Sequence, residues 1–172
     1  MSELWQIYED SMKESKRKIK KIKRLERQRR EQMKKDNIVL IGMPGVGKST
    51  VGVILAKILG YQFVDADLVI QKEEGKLLKD IIAEKGTDGF IQVENRVNSN
   101  LQVHESVVAT GGSVVYGTEA MEHLSEIGTV VYLKQSLRKL ERRLRNIKNR
   151  GVVLRPGQTL KDLYRERTVL YE

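Results

Sequence analysis

Cysteine is absent from this chain of 172 residues, and long apolar runs are absent as well. Without cysteine, neither a disulfide nor a zinc site with thiolate ligands can form, which suits a reducing compartment. No apolar run approaches the roughly 20 residues that a membrane-spanning helix needs. The charged N-terminus also lacks the apolar segment of a secretory signal. We therefore expect a soluble, cytoplasmic protein that has no membrane partner.

The positive charge is distributed unevenly along the chain. Of the formal net charge of +9, residues 1–36 contribute a surplus of six and residues 37–172 a surplus of only three. A uniformly basic domain would favour nucleic-acid binding, and the nearly balanced body of this chain does not. Hydrophobic residues make up 40% of the composition, so a chain of this length can bury one core without covalent cross-links.

The first 36 residues form a segment of their own, with no glycine or proline and many lysine, arginine, glutamate and glutamine residues. These are good helix formers, so we predict a basic helical N-terminal extension ahead of a domain at residues 37–172. Trp5, Tyr8 and Met12 begin a broken heptad-like seam. Three roles are possible for this extension: a solvated helix, a docking or dimerising helix, or a helix that contacts a polyanion weakly through residues 16–23. Elsewhere we expect no nucleic-acid partner, and we expect a monomer or weak homodimer.

After residue 36, short apolar runs alternate with helical patterns. The runs predict strands at residues 37–41, 62–64, 106–110 and 129–133. The helical patterns fall at residues 48–59, 68–85 with a break at Gly75, 90–103, 119–126, 136–146 and 159–171, with a turn at residues 86–89 and a loop at residues 150–158. This alternation predicts a three-layer α/β/α fold with a short parallel sheet and ligand sites at the carboxyl ends of the strands.

A complete phosphate-binding motif follows the first predicted strand. Residues 42–49 match the pattern G-x-x-x-x-G-K-[ST] at every fixed position and open a predicted helix. Backbone N–H groups in such a loop point at phosphate oxygens, Lys48 can reach the β- and γ-phosphates, and the Ser49 hydroxyl can ligate Mg²⁺. The alternative is an ordinary glycine-rich turn. The candidate ATP-binding residues here are Gly42, Gly45, Val46, Gly47, Lys48, Ser49 and Thr50.

Two acidic residues, Asp65 and Asp67, come at the end of the second predicted strand. Their spacing places both carboxylates on one side of the chain as it leaves the sheet. One can help to hold Mg²⁺, and the other can orient or deprotonate the hydroxyl of a phosphoryl acceptor. The alternative is that an aspartate here caps a helix.

Two further segments carry residues suited to a phosphoryl-transfer site. Gly111 and Gly112 follow the third strand, where their backbone can approach a ligand closely or can form a plain tight turn. Arg155 lies in a loop that follows a run of basic side chains. Most of that run is interpreted as a solvated basic face. Arg155 is the exception, because a basic loop can close over a triphosphate.

At this point the chain resembles the shikimate kinases, small P-loop enzymes of the nucleoside-monophosphate-kinase-like fold. The resemblance covers residues 37–171 and consists of motifs in family order. These motifs are the phosphate loop at residues 42–49, Asp65-x-Asp67, Phe90-x-x-x-Glu94, Gly111-Gly112, Arg155-Pro156 and Arg167-x-x-x-Tyr171. The ordered set is much more specific than the phosphate loop alone.

The resemblance implies roles on the phosphate side of a kinase site. Lys48 and Ser49 would serve the phosphates and Mg²⁺, with Asp65 on the Mg²⁺ side. Arg155 would bind ATP and act at the transferring phosphoryl group. Lys48, Arg155 and Asp67 are the catalytic residues that the resemblance implies.

It also implies roles on the acceptor side. Asp67 would hold the substrate hydroxyls and act as the base. Gly111 and Gly112 would contact the substrate through their backbone, and Arg167 would meet its carboxylate. Glu94 would orient this charged cluster.

Three departures from the family pattern bear on the acceptor. The family motif Phe-Arg-x-x-Glu has Ile91 at the arginine position, and that arginine clamps the substrate carboxylate. At the position of the family's third glycine, this chain has Ser113. The sequence ends at Glu172, where family members continue into an edge strand and an adenine-contacting loop, so we expect either a truncated sequence or an incomplete nucleotide pocket.

The function predicted from these motifs is ATP-dependent phosphoryl transfer to a hydroxyl of a small hydroxy acid. The resemblance implies shikimate as acceptor and shikimate 3-phosphate as product, in chorismate and aromatic amino acid biosynthesis, with Mg²⁺ as cofactor. One alternative is a different hydroxylated acceptor, because Ile91 replaces the clamping arginine. A second is a P-loop module that binds nucleotide and uses the basic tail for RNA or protein contact. A nucleoside-monophosphate kinase is the remaining alternative, and the Asp65–Asp67 pair argues instead for a polyol.

Overall fold

The computed structural model describes residues 12–13, 16–21, 35–144, 155 and 157–172. The chain divides into two compact units, residues 1–34 and residues 35–172. In the first unit, residues 16–21 are helical and exposed, and the Met12 side chain is also exposed. Ile19, a later member of the predicted seam, is exposed as well. Trp5 and Tyr8 of that seam, the predicted helix end at residues 145–146 and most of the predicted basic loop lie outside the described residues.

The second unit is built on a parallel sheet of four strands in the order β2-β3-β1-β4. The strands are β1 (Asn37–Ile41), β2 (Gln62–Asp65), β3 (Ser106–Ala109) and β4 (Gly128–Tyr132). Strand β3 separates β1 from β2, so the chain leaves β1 in one direction and later returns between the two. Ligand crevices in such sheets form at the carboxyl ends of the strands, which places the candidate site beside β1 and β3.

Helices cover both faces of this sheet. They are α1 (Lys48–Leu59), α2 (Ala66–Glu74), α3 (Leu78–Ser99), α4 (Thr118–Ile127), α5 (Leu137–Arg143) and α6 (Leu160–Tyr171), with a short 3₁₀ turn at Val114–Tyr116. None of the helices in the described ranges is long and apolar enough to cross a membrane. The architecture confirms the predicted three-layer α/β/α fold.

The alternation of side chains along β1 separates the two halves of the core. Leu40 points to a cluster with Ala56 of α1 and Val107 of β3. Val39 and Ile41 point to the opposite face and join the larger cluster that the later helices complete. Because successive residues of a strand face opposite sides, one short apolar strand anchors both helical layers.

The predicted turn at residues 86–89 is correct at Gly86, whose backbone is not helical, but wrong at residues 87–89, which are helical. Helix α3 runs from Leu78 to Ser99, and the break is reduced to a kink at Gly86, whose φ is 69°. Ile81 before the kink and Phe90 after it pack into the same buried cluster, so the helix resumes at once.

The predicted end of this helix at residue 103 is also wrong. The Asn100 side chain donates a hydrogen bond of 2.7 Å to the carbonyl oxygen of Arg96 and so satisfies the last turn of the helix. The predicted break at Gly75 is confirmed, and the predicted end of the first helix at residue 59 is confirmed as well, since Gly60 and Gly75 both end helices in the left-handed conformation.

Candidate active site

The phosphate loop between β1 and α1 depends on three glycines with positive φ. These angles are 139° at Gly42, 74° at Gly45 and 111° at Gly47, a region that other residues rarely adopt. Space is restricted as well. A Cβ atom on Gly42 would lie 2.7 Å from the Leu133 carbonyl oxygen, and one on Gly45 would lie 2.8 Å from a Leu144 methyl carbon. The loop is therefore held in a tight curve that ends at the N-terminus of α1.

Lys48 begins helix α1 and folds its side chain back over this loop. Its ammonium donates hydrogen bonds to the carbonyl oxygens of Gly42 at 2.7 Å and Met43 at 3.2 Å. Burial lowers the pKa of Lys48 to about 8, while Asp67 and Glu94 act in the opposite direction. At neutral pH the side chain is a desolvated cation, held where the phosphates of a bound nucleotide would lie.

Asp65 combines the two interpretations that the sequence left open. One of its carboxylate oxygens accepts a hydrogen bond of 3.0 Å from the backbone N–H of Asp67, which makes Asp65 the N-cap of α2. The other accepts a hydrogen bond of 3.0 Å from the Ser49 hydroxyl. The cap fixes the carboxylate, and the fixed carboxylate faces the phosphate loop.

Asp67 lies in the first turn of α2 and lines the main cavity. Burial and, to a smaller extent, the Asp65 carboxylate raise the pKa of Asp67 to about 6, against the opposing effect of Lys48. A carboxyl group with a pKa near neutrality is suited to accepting a proton from a substrate hydroxyl.

The main cavity has a volume of about 780 Å³, within the usual range for small-molecule sites. The phosphate loop and the start of α1 form one side, and the opposite side comes from α2, α3 and the segment after β3. Of the predicted site residues, it is lined by Gly45, Val46, Gly47, Lys48, Ser49, Thr50, Asp67, Glu94, Gly111 and Gly112. The structure thus brings most of the predicted phosphate and acceptor groups to one cavity, which Gly42, Asp65 and Arg167 do not line.

Glu94 of α3 is 1% exposed and forms the floor of the acceptor side. One carboxylate oxygen accepts a hydrogen bond from the Ser113 hydroxyl. The other, Oε1, has no hydrogen-bond partner among the described residues. Burial raises the pKa of Glu94 to about 7. A Cβ atom on Gly111 would lie 2.0 Å from Oε1, so only glycine fits at position 111.

Gly112 lies between the phosphate loop and a buried arginine. A Cβ atom there would approach Pro44 of the loop to 2.7 Å and Arg167 Nη1 to 3.1 Å. Arg167 is 1% exposed, and its guanidinium carbon lies 5.1 Å from the centre of the Tyr116 ring. The Tyr171 hydroxyl donates to the Gly112 carbonyl oxygen, which fixes the end of α6 against this turn.

Arg155 is not brought to the phosphate loop. Its guanidinium lies 3.7 Å from the Asp88 carboxylate, and the side chain is 56% exposed. It borders a separate small cavity that Ile91, Tyr116 and Arg167 also line. The structure therefore places Arg155 beside Ile91, the residue at the arginine position of the Phe-Arg-x-x-Glu motif.

Arg143 belongs to the run of basic side chains before Arg155 that was interpreted as a solvated face, but the structure places it at the site. Its guanidinium donates hydrogen bonds to the carbonyl oxygens of Val46 at 2.8 Å and Gly45 at 3.3 Å, and it lines the main cavity. No spacing in the sequence marks it. The only available signal is topological: β4 pairs with β1, so the helix after β4 ends near the phosphate loop.

The donors around Ser49 fit a magnesium ion. A hydroxyl and a carboxylate oxygen are hard ligands of the kind that Mg²⁺ prefers, and phosphates and water usually complete its shell. In the described part of the chain, no cluster of three or more histidine, aspartate or glutamate residues could hold a metal by itself. The residues present thus suit an ion that is shared with a nucleotide.

Comparison with known proteins identifies relatives that match most of the second unit. The family model described as shikimate kinase matches residues 44–172. A shikimate kinase of Persephonella marina is 40% identical over 136 residues, which are 78% of this chain and 83% of that protein. One of Pasteurella multocida is 39% identical over 142 residues, 80% of this chain and 81% of that protein.

Solved structures give the same result. Shikimate kinase from Acinetobacter baumannii, determined in complex with shikimate, superposes with a TM-score of 0.72 at 36% identity and covers 80% of this chain and 78% of that one. Shikimate kinase from Aquifex aeolicus superposes with a TM-score of 0.66 at 34% identity, covering 78% and 81%.

Proposed function

The chain belongs to the shikimate kinase family, and from that membership we propose how its own residues phosphorylate shikimate. Proteins of this family are ATP-dependent phosphotransferases with an alcohol acceptor. Shikimate is the acceptor that the matches support, and neither a different acceptor nor a non-catalytic nucleotide-binding module is favoured. The observation that carries the proposal is that Lys48 and Asp67 line one cavity between the phosphate loop and the Gly111-Gly112 turn.

The acceptor hydroxyl is activated by Asp67. In its ionised form, Asp67 accepts the hydroxyl proton while the oxygen forms a bond to the γ-phosphorus of ATP. The bond between that phosphorus and the bridging oxygen breaks, and ADP leaves with the negative charge. Lys48 stabilises this charge because its ammonium is already fixed and desolvated.

The Ser49 hydroxyl and the Asp65 carboxylate would hold magnesium. When bound, the ion neutralises phosphate charge and aligns the triphosphate. The Asp65 cap on α2 keeps that carboxylate oriented toward Ser49.

Arg167 receives the carboxylate of shikimate on the acceptor side. It is buried at the wall formed with Gly112, where a charged ligand group would be desolvated and strongly attracted. Ile91 contributes no charge at the position where family members have an arginine, so Arg167 bears more of this interaction. Glu94 orients the charged cluster. Arg155 contacts the transferring phosphoryl group once it leaves Asp88.

The remaining assignments concern the organisation of the chain. We propose that residues 37–172 form the kinase domain, that residues 1–36 are an extension outside the site, and that the protein is a monomer or weak homodimer. Deleting residues 1–36 should preserve phosphoryl transfer, and inactivity of the folded shortened protein would place the extension in the site.

A coupled assay of ADP release tests the function. The full-length protein should release ADP only when ATP, Mg²⁺ and shikimate are all present, and the product should be shikimate 3-phosphate by mass spectrometry. The Asp67→Asn variant should retain ATP binding and its unfolding temperature but lose turnover by at least about a hundredfold. Turnover of that variant near the wild-type rate would contradict the assignment of Asp67 as the base.

A further inference from the structure

An uninterrupted set of hydrogen bonds connects Arg167 in the substrate wall with the backbone at Arg155. Arg167 Nε donates to the Tyr116 hydroxyl at 3.2 Å, and this hydroxyl donates to Glu166 Oε1 at 2.8 Å. Gln158 Nε2 donates to the second oxygen of Glu166 at 2.7 Å. The backbone N–H of Arg155 donates to Gln158 Oε1 at 3.1 Å. One carboxylate therefore receives bonds from both directions.

The three intermediate residues come from rigid parts of the fold. Tyr116 ends the 3₁₀ turn that follows Gly111-Gly112. Glu166 precedes Arg167 on helix α6, and Gln158 precedes Thr159, the N-cap of the same helix. A capping box between Thr159 and Asp162 fixes this helix end. The three side chains are thus anchored to the substrate turn and to α6.

The chemistry of the hydrogen bonds fixes their direction. Burial raises the pKa of Tyr116, so the phenol keeps its proton near neutrality and can donate to Glu166 while it accepts from Arg167. Glu166 accepts through both oxygens, which an amide at that position cannot do. The two series of donors, from Arg167 and from the Arg155 N–H, both end at Glu166. Consecutive bonds within each series polarise each other, so loss of one weakens its neighbour.

We propose that three positioning residues hold the Arg167 side chain and the backbone of Arg155 in a fixed relation to each other. These residues, called the Glu166 relay, are Tyr116, Glu166 and Gln158. The proposal rests on the proposed function, in which Arg167 meets the acceptor and Arg155 the phosphoryl group. Ile91 lines the same small cavity and offers no donor. The relay therefore aligns the cation that holds the acceptor, and it links that alignment to the arginine that serves the transfer.

An exchange of the two interacting groups tests the relay. Glu166→Gln leaves a single acceptor oxygen for two donors, and Gln158→Glu places two carboxylates against each other. In the double variant, the amide at position 166 donates to the carboxylate at position 158 and still accepts from Tyr116. That carboxylate also accepts from the Arg155 N–H, so the double variant restores the whole chain of bonds.

Two measurements on the full-length protein read out the result. Hydrogen exchange of the Arg155 amide, measured by NMR spectroscopy without substrate, should accelerate about tenfold in each single variant. The KM for shikimate should rise about tenfold and kcat should fall. Both should return to within about threefold of wild type in the double variant. Glu122→Gln, on an exposed part of α4, is the matched control and should change neither.

The possible outcomes separate the relay from the function. Unchanged amide exchange in Glu166→Gln, or a double variant no better than the single variants, would overturn the relay. A general packing defect would lower the unfolding temperature of all three variants without repair by the exchange, and it would count against the relay as well. Absence of shikimate-dependent ADP release by the wild-type protein would refute the proposed function, while amide exchange would still decide the relay.

Discussion

Replacement of Glu94 by glutamine should remove a pH-dependent loss of stability. Glu94 is 1% exposed, and burial raises its pKa from 4.5 to about 7. A carboxyl group with a raised pKa in the folded state binds more protons there than in the unfolded chain. The free energy of unfolding therefore decreases as the pH rises from about 4.5 to about 7 and stays lowered above that range.

The size of this effect follows from the shift in pKa. Each pKa unit corresponds to about 1.4 kcal/mol, so ionisation of Glu94 should lower the free energy of unfolding by about 3 kcal/mol. Glutamine cannot ionise, but its amide oxygen can still accept from Ser113. Relative to wild type, the Glu94→Gln variant should gain stability between pH 4.5 and pH 7.

Urea unfolding at closely spaced pH values measures this difference directly. Subtracting the wild-type free energies from those of the variant removes the contributions of groups unaffected by the change. Asp67, Lys48 and Arg167 also interact with Glu94, so the Glu94→Gln difference should be repeated in an Asp67→Asn background. A difference that stays constant within about 0.5 kcal/mol across the pH range would refute the argument that Glu94 ionises with difficulty.

Three further variants test separate contacts. Ile91→Arg places a second guanidinium beside Arg167 and should lower the KM for shikimate about tenfold, and an unchanged KM would contradict the assignment of this wall to the carboxylate. Gly111→Ala forces a Cβ atom to within 2.0 Å of Glu94 Oε1, so the free energy of unfolding should fall by about 1–3 kcal/mol with loss of turnover in steady-state assays. Arg143→Ala removes two hydrogen bonds to the phosphate loop and should weaken ATP binding about tenfold by calorimetry, whereas unaltered affinity would make Arg143 a surface residue.

The bounds of helices and strands were predictable where the local sequence pattern agrees with the packing between distant parts of the chain. Strand β1 and helix α1 have the predicted bounds, because an apolar run, a phosphate loop and a helix-ending Gly60 lie next to each other in the chain. The turn at residues 86–89 was right at Gly86 and wrong at residues 87–89, because the shared burial of Ile81 and Phe90 makes the helix resume directly after the break. Tertiary packing decides such cases, and a single sequence does not display it.

The candidate site was predictable to a similar extent. Motifs identify Lys48 and Asp67 because the chemistry requires those residue types in fixed local patterns. Contacts between residues distant in the chain left no comparable signal. The hydrogen bond from Ser113 to Glu94 and that from Arg143 to Val46 were unforeseen, since each depends on how separate elements meet in space.

The pairing of β1 with β3 has a consequence for the spacing of the two substrates. The phosphate loop leaves the end of β1 and the Gly111-Gly112 turn leaves the end of β3, and the two strands are registered with Leu40 opposite Ala109. Paired strands keep a separation of about 4.8 Å through their peptide hydrogen bonds. The pairing of the two strands therefore sets the distance between the proposed nucleotide site and the proposed acceptor site, so heat or denaturant should abolish both binding activities in one transition.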